Sequence, residues 1–504
     1  MSTSRTKTDI IRTILNYAAV SICGCVFVLL SASWVSPIFK DSYGYDSAWY
    51  SMMGRAITCG MVPYRDYFDL KGPVFFFIEA IGQMFCHGRV GIFIIECIAS
   101  AISCIFIYKI CRLYIRPWQA YIVLLLTGFV AVSPFWGGNT CEEYMLPFNY
   151  ACIYLALKYI KEKNYEQYFI PSLIFGISFA VMALSKVPTC APMFAASLTV
   201  VIELVMKKKA GYIPAMIGYF FLGVAMIFIP VCAYFIFHGA FKDFIYAAFV
   251  FAYKRGTDYY ETFSWEWEMK LIICYALFIG TLIIPTKKSK EHYFRIFGFL
   301  LSFVTWAFLH LGTPYDYYFL LTMPCFVYLV MSLFAHWNNR CMLDPDFEGR
   351  PDIKRIVIQR RVLWAVLILL VCLHYYPDTK FKFEENKGIY EREEDWYVEA
   401  CKDVLNVIPY SEINNIYDLE SGMIFYEVNQ LLPANCYPVN LPYFMHLNPQ
   451  IKADVLQYLD VIQPKYIISE DMASFDDEDT VNYVFSHYVL LEDLEAEEIY
   501  IRVE

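Results

Sequence analysis

Charge is scarce in this sequence. Only 18% of its 504 residues are charged and 58% are apolar, against about 25% and 45–50% in soluble domains. That balance excludes a single water-soluble globule. Long apolar runs spread from residue 11 to residue 376 predict a polytopic membrane protein. There is no CxxC pair, zinc-ligand spacing or haem motif, so the 17 cysteines do not read as a redox or metal centre. Most of them, such as Cys23, Cys25, Cys97, Cys104 and Cys274, sit inside apolar runs as small hydrophobes. Cys59, Cys141, Cys401 and Cys436 fall in expected external segments, and no pairing is assigned to them. No basic surface for nucleic acid and no internal repeat is visible.

The charge that is present is unevenly divided. From Pro377 onward there are 27 acidic residues against 8 basic ones, a net of −19, while the whole chain is −10 and residues 1–376 therefore carry +9. This predicts a membrane domain over 1–376 and a separate domain over 377–504. Arg5, Lys7 and Arg12 precede the first apolar run. Ser31-Ala32-Ser33 offers a cleavage site, but the run is longer than a usual signal-peptide core, which predicts a retained signal anchor.

A spanning helix needs about 20 apolar residues. Spans are expected at 11–35, 91–112, 118–134, 144–160, 168–185, 188–206, 211–237, 269–285, 293–311, 316–335 and 362–376, about eleven in all. Val74–Cys86 is short and interrupted by Glu79 and Gln83, and reads as an interfacial helix. With it lying outside, the clusters at Lys109/Arg112/Arg116, Lys158/Lys161/Lys163, Lys207–Lys209, Lys287/Lys288/Lys290 and 340–361 all face the cytoplasm, as basic loops should. The N-terminus is then cytoplasmic, and the acidic tail is extracytoplasmic.

The unusual polar segments all fall outside. The loop Tyr43–Pro73 carries six charges. Its Asp46 reads as a general base, as a carboxylate orienting an acceptor hydroxyl, or as a solvated loop acid. Arg65, Asp66, Asp69 and Lys71 share the segment RDYFDLKGP. Lys71 either attracts an anionic group or pairs with Asp69, and such surface pairs contribute little. Glu142 and Glu143 start a span after Gly137-Gly138-Asn139, where acids suit the helix dipole or build a site. Lys186 interrupts the apolar run ALSKVPTCAP, and either holds a phosphate or snorkels to headgroups. Among the aromatics of 238–268, Lys254-Arg255 fits a lipid-phosphate site or an ordinary interfacial belt. Glu96 is expected to face the bundle and Glu203 to pair with Lys207.

The tail alternates helical and strand-like patterns. A helix is expected over Glu391–Val407, another over Ile451–Leu459, and strands at Ile416–Leu419, Tyr466–Ser469, Tyr488–Leu491 and Glu498–Val503. This is a small α/β domain without a Walker loop, GxGxxG or GxSxG.

The order of these motifs resembles the GT-C membrane glycosyltransferases, in particular bacterial enzymes of the protein O-mannosyltransferase and aminoarabinose transferase superfamily. The resemblance rests on an acidic first external loop, RDxxDxKGP at Arg65–Pro73, GxNTxEEY at Gly137–Tyr144, Lys186-Val187-Pro188, and the Tyr-rich segment Tyr315–Tyr318 in the loop that begins at His310. It covers essentially the whole chain. It implies a polytopic α-helical fold with a small extracytoplasmic α/β domain, a polyprenyl-phosphate sugar donor, and a cell-envelope acceptor (protein, wall polymer or lipid). By that resemblance Asp46 is the catalytic base of a transfer that usually inverts. Lys71, Lys186 and Arg255 hold the lipid-linked phosphate, and Glu142 and Glu143 position substrate or assist Asp46. Arg65, Asp66, Asp69, His310, Tyr315 and Tyr317 belong to the implied substrate site. Relatives often place a second acid where this chain has Ser47 and a histidine where it has Tyr317, so no obligatory metal is expected. The alternative from another class is a transporter or flippase of lipid-linked sugars, which should show repeats and polar residues at mid-membrane.

Overall fold

The computed structural model describes residues 7–258, 265–283, 292–311, 315–338, 351–392, 395–419, 423–438, 441–494 and 498–503. Lys287, Lys288 and Lys290, residues 340–350 of the 340–361 loop, and Tyr259 and Tyr260 lie outside the described residues.

In hydrocarbon a backbone must satisfy its own N–H and C=O groups, which favours helices. Among the described residues, seven helices are long and apolar enough to cross a membrane: Thr8–Ser31, Arg89–Tyr114, Val187–Met206, Ala210–Phe237, His292–Leu309, Asp316–His336 and Arg361–Glu391. Three more of the expected spans are the apolar helices Pro117–Ala131, Phe169–Ala183 and Ile272–Leu282. At ~1.5 Å per residue they fall short of a ~30 Å hydrocarbon core. The remaining one, Cys141–Glu162, is long enough but carries Glu142, Glu143, Lys158, Lys161 and Glu162. Pro73–Phe85 is a 13-residue helix with its proline in the first turn, where a missing N–H costs nothing.

The chain folds as two compact units, each assembled from three segments: 1–32, 96–231 and 259–386 in the first, and 33–95, 232–258 and 387–504 in the second. This partition follows packing. The 1–376 and 377–504 division drawn from composition concerns surroundings.

In the first unit, Cys141–Glu162 packs on Phe169–Ala183 and Ala191–Met206, and the last of these packs on His292–Leu309. The chain breaks at Lys186–Cys190, where Pro188 cannot continue a helix. Buried Asn149 supplies the hydrogen bonds the break removes: its Nδ2 donates to the Thr189 carbonyl (2.9 Å) and its Oδ1 accepts from Met193 N (3.1 Å). Lys207 and Glu203 pair at 3.8 Å, as expected from their spacing.

In the second unit the stretch expected to be one external loop contains a 14-residue helix, Tyr45–Thr58, whose residues Ser47–Ala56 are all buried. Cover on every side leaves no polar face, so the periodicity that usually betrays a surface helix is missing. The helix packs against Pro73–Phe85 and Met423–Val428. Gly54 makes the first contact possible, since a Cβ there would lie 2.7 Å from the Glu79 carbonyl carbon. Arg55 points inward to Glu427 at 2.6 Å and donates to the carbonyls of Tyr426 and Leu431. Ser51 donates to Glu427 (2.8 Å), and Gln83 to Ser51 (2.8 Å).

The tail forms a four-stranded sheet from β1 (Ile416–Asp418), β2 (Tyr466–Ser469), β3 (Tyr488–Asp493) and β4 (Glu498–Arg502), in the order β1-β2-β4-β3. β1 and β2 are parallel, so a crossover must join them, and the helices Met423–Val428, Leu441–Leu447 and Pro449–Ile462 lie in that connection. The other pairings are antiparallel. All four expected strand positions are strands. The helix expected from residue 391 is Trp396–Val407, which starts later because Asp395 caps it by accepting from Tyr397 N and Val398 N.

Removing one partner of a buried ion pair strands the other, at a cost of about 3–5 kcal/mol. Arg55→Ala should therefore lower the thermal stability of the purified protein strongly, and Arg55→Met with Glu427→Met should recover most of the loss. Unchanged unfolding in the single variant would refute the role given to this pair.

Candidate functional site

Asp46 lies in the first turn of Tyr45–Thr58, after the N-cap Gly44, where the helix dipole favours a carboxylate by about 0.3–1 kcal/mol. It is half-buried and has no hydrogen-bond or ion-pair partner among the described residues. Trp49 and Tyr50 follow at i+3 and i+4, on the same helical face. Trp49 Nε1 donates to Asp69 Oδ2 at 2.5 Å, and Asp69 Oδ1 accepts from the Lys71 backbone N at 2.6 Å. The Lys71 ammonium sits 4.4 Å from the Tyr50 ring centroid. Asp69 thus shapes the turn, while the Lys71 charge rests on an aromatic face and not on a carboxylate. Tyr64 OH closes the turn by donating to the Lys71 carbonyl (2.6 Å).

Arg65 and Asp66 form a clip within the same segment. Nε and Nη2 of Arg65 each lie 2.8 Å from an Asp66 oxygen, and Nη1 donates to the His238 carbonyl (3.1 Å). The Arg65 guanidinium holds the Asp66 carboxyl below its usual range. Both side chains are committed to the fold of the segment. Arg255 lies 5.5 Å from the Tyr443 ring centroid.

In the first unit the segment before Cys141–Glu162 has four consecutive residues in the left-handed region: Trp136 (φ 58), Gly137 (φ 98), Gly138 (φ 96) and Asn139 (φ 60). Two of them are not glycine, a cost that persists only where the surroundings impose it. Glycine is needed at 138 on space as well, since a Cβ would lie 2.9 Å from Glu96 Oε1. The run aims Asn139 N at that oxygen (2.7 Å), and Asn139 Oδ1 accepts from Tyr144 OH (2.9 Å).

The two adjacent acids then part company. Glu143 completes a capping box with Thr140, whose Oγ1 donates to it at 2.8 Å, and it lies beside the buried Glu96 carboxyl. Glu142 lies 2.6 Å from the Lys186 ammonium, which also faces the rings of Tyr318 (3.7 Å) and Tyr317 (4.9 Å). Burial by itself would lower the affinity of Lys186 for its proton, but the Glu142 carboxylate outweighs it and keeps the lysine firmly charged. Tyr315 stacks on Tyr317 at 5.4 Å.

Of the expected residues, the structure therefore gathers Glu142, Lys186, Tyr317 and Tyr315 in one cluster, and Asp69 and Lys71 in another beside the face that bears Asp46. It does not bring His310 to the tyrosines: His310 Nε2 lies 2.9 Å from Glu268 Oε1, and Nδ1 2.7 Å from the Trp306 carbonyl. Trp49, Tyr50 and Tyr318 were missed as individual contacts, although helical spacing from Asp46 signals the first two. Nothing local signals the meeting of Glu96 with Glu143. Among the described residues no group of three or more His, Cys, Asp or Glu side chains could hold a metal ion.

Comparison with known proteins bears on the fold of the chain. Residues 71–234 match the family described as dolichyl-phosphate-mannose-protein mannosyltransferase. The fold is that of ArnT from Cupriavidus metallidurans. The crystal structure of that protein bound to undecaprenyl phosphate aligns with a TM-score of 0.61 at 11% identity, covering 97% of this chain and 98% of that one. Its apo structure aligns with a TM-score of 0.57 at the same identity and coverage. No curated protein matches the chain in sequence. The chain is thus similar in sequence over 71–234 to the dolichyl-phosphate-mannose-protein mannosyltransferase family and in fold, over nearly its whole length, to ArnT.

Lys186→Ala should destabilise the protein by about 3–5 kcal/mol, because it leaves Glu142 buried and unpaired. Lys186→Met with Glu142→Gln should restore stability, as read by thermal unfolding of the purified protein. A fully stable Lys186→Ala would show that the pair is not closed as described.

Proposed function

We propose that the protein is an integral-membrane glycosyltransferase that moves a sugar from a polyprenyl-phosphate donor to an acceptor on the outer membrane face. The observation that carries this reading is Asp46. On a chain with the ArnT fold, it is a half-buried carboxylate without a partner among the described residues, on a helical face shared with the side chains that hold Asp69 and Lys71. The solved relative binds undecaprenyl phosphate, and the matched family is described by a dolichyl-phosphate sugar, which supports a lipid-phosphate donor here. The basic clusters of the sequence support an outward orientation of the polar loops.

In this reaction the acceptor hydroxyl gives its proton to the Asp46 carboxylate as its oxygen attacks the anomeric carbon. The bond from that carbon to the phosphate oxygen breaks, and the polyprenyl phosphate leaves with the electron pair. Displacement from the opposite face inverts the sugar. A cation stabilises the leaving phosphate. Lys71 suits that role best, since its ammonium leans on the Tyr50 ring and can turn to an anion without abandoning a carboxylate. Arg255 is a second cation for the phosphate. Lys186 would first have to exchange Glu142 for the phosphate. Glu142 and Glu143, buried and held by Lys186 and Thr140, bear on the reaction only through the geometry of that region.

A general base typically contributes about 10²–10⁴ in rate. Asp46→Asn should lose transfer from an undecaprenyl-phosphate sugar by about that factor, with normal expression and an unchanged unfolding temperature. Full activity of the variant in a reconstituted assay would remove Asp46 from the mechanism.

A further inference from the structure

The second unit contains a half-open cavity of about 480 Å³ that the donor chemistry above does not use. Its volume falls within the about 300–1,000 Å³ of small-molecule sites. The floor is aromatic, built by the buried rings of Tyr64 and Phe68. The wall is polar and comes from the tail: Tyr437, Asn448 and Asp454. Asp243, Lys254 and Gln450 stand exposed at the rim.

The polar groups are held in place before any ligand arrives. Asn448 caps the helix Pro449–Ile462, and its Nδ2 donates to Tyr246 OH at 2.7 Å. Gln450 Nε2 donates to Asp454 Oδ1 at 2.9 Å, while Tyr437 OH reaches Asp454 Oδ2 only at 3.5 Å. A carboxylate has about four acceptor positions, so Asp454 keeps capacity for hydroxyl donors. The floor is tied to both neighbours: Tyr64 OH bonds the Lys71 carbonyl, and Phe68 N donates to the Cys436 carbonyl at 2.9 Å.

The lining selects among ligand classes. Two carboxylates against one lysine disfavour a phosphate or nucleotide, and the polar wall disfavours an acyl chain. Aromatic faces below, with carboxylate and amide groups to the side, suit a ring that is apolar on its faces and hydroxylated at its edge. We propose that this cavity binds a neutral saccharide, the headgroup of the acceptor, and that the tail domain exists in part to supply its wall. The word acceptor rests on the transferase reading; saccharide binding does not.

The test uses the full-length protein in lipid nanodiscs, with methyl hexopyranosides and methyl N-acetylhexosaminides as probes, followed by saturation-transfer NMR. At least one glycoside should bind the unmodified protein. Asp454→Ala with Gln450→Ala should weaken it tenfold or more, and Gln450→Trp, which places a bulky ring on the exposed rim, should block it. Both variants should keep the unfolding temperature and the binding of undecaprenyl phosphate. Binding of no probe, equal binding by the variants, or binding of a serine/threonine peptide in place of any glycoside would overturn the proposal. Glycoside binding that the variants abolish, in a protein that ignores undecaprenyl phosphate, would uphold this site and reject the donor assigned above.

Discussion

Taking an ammonium or carboxylate out of water costs several kcal/mol unless a partner replaces the lost solvation. Much of the polar architecture of this protein answers that requirement. Lys186 is charged in an apolar stretch because Glu142 lies against it, and two tyrosine rings close over the pair. Arg55 enters the interior of a packed helix because Glu427 and two carbonyls receive it. Glu96 and Glu143 lie side by side in the interior, where a backbone N–H donates to the first and a threonine hydroxyl to the second.

Against that background the exceptions acquire meaning. Asp46 is half-buried, benefits from a helix N-terminus, and has no described partner. Lys71 rests on a ring, with its backbone and not its charge bonded to Asp69. A base must be able to receive a proton and a phosphate-binding cation must be able to receive an anion, so residues already saturated by the fold are poorer candidates. This argument raises Lys71 above Lys186, and sets Arg65 and Asp66 aside as a clip that shapes their own segment.

Long apolar runs, the strands of the tail and the Glu203–Lys207 pair were legible in the sequence because each depends on neighbours a few residues away. The helix Tyr45–Thr58 was not, since cover on all sides erases the amphipathic pattern by which helices are read. The distinct fates of Glu142 and Glu143 were half legible. A capping box is a local signal and explains Glu143. The partner of Glu142 comes from a different helix break, and no spacing rule points to it. His310 was drawn towards the tyrosines by proximity in sequence, but its Nδ1 turns back along its own helix to the Trp306 carbonyl and its Nε2 meets Glu268 on the separate helix Trp265–Lys270. The saccharide cavity drew nothing from sequence, because its floor and wall are contributed by residues about Tyr64 and about Asn448, far apart in the chain.

The central claim is transfer from a lipid-linked donor at the outer face. Sealed right-side-out membrane vesicles carrying the protein, supplied with a radiolabelled undecaprenyl-phosphate hexose in the outer leaflet and no nucleotide sugar, test it directly. The account predicts release of undecaprenyl phosphate and label in an envelope acceptor, both absent from vesicles lacking the protein. Transfer that requires a nucleotide sugar, or that occurs only in inverted vesicles, would contradict it.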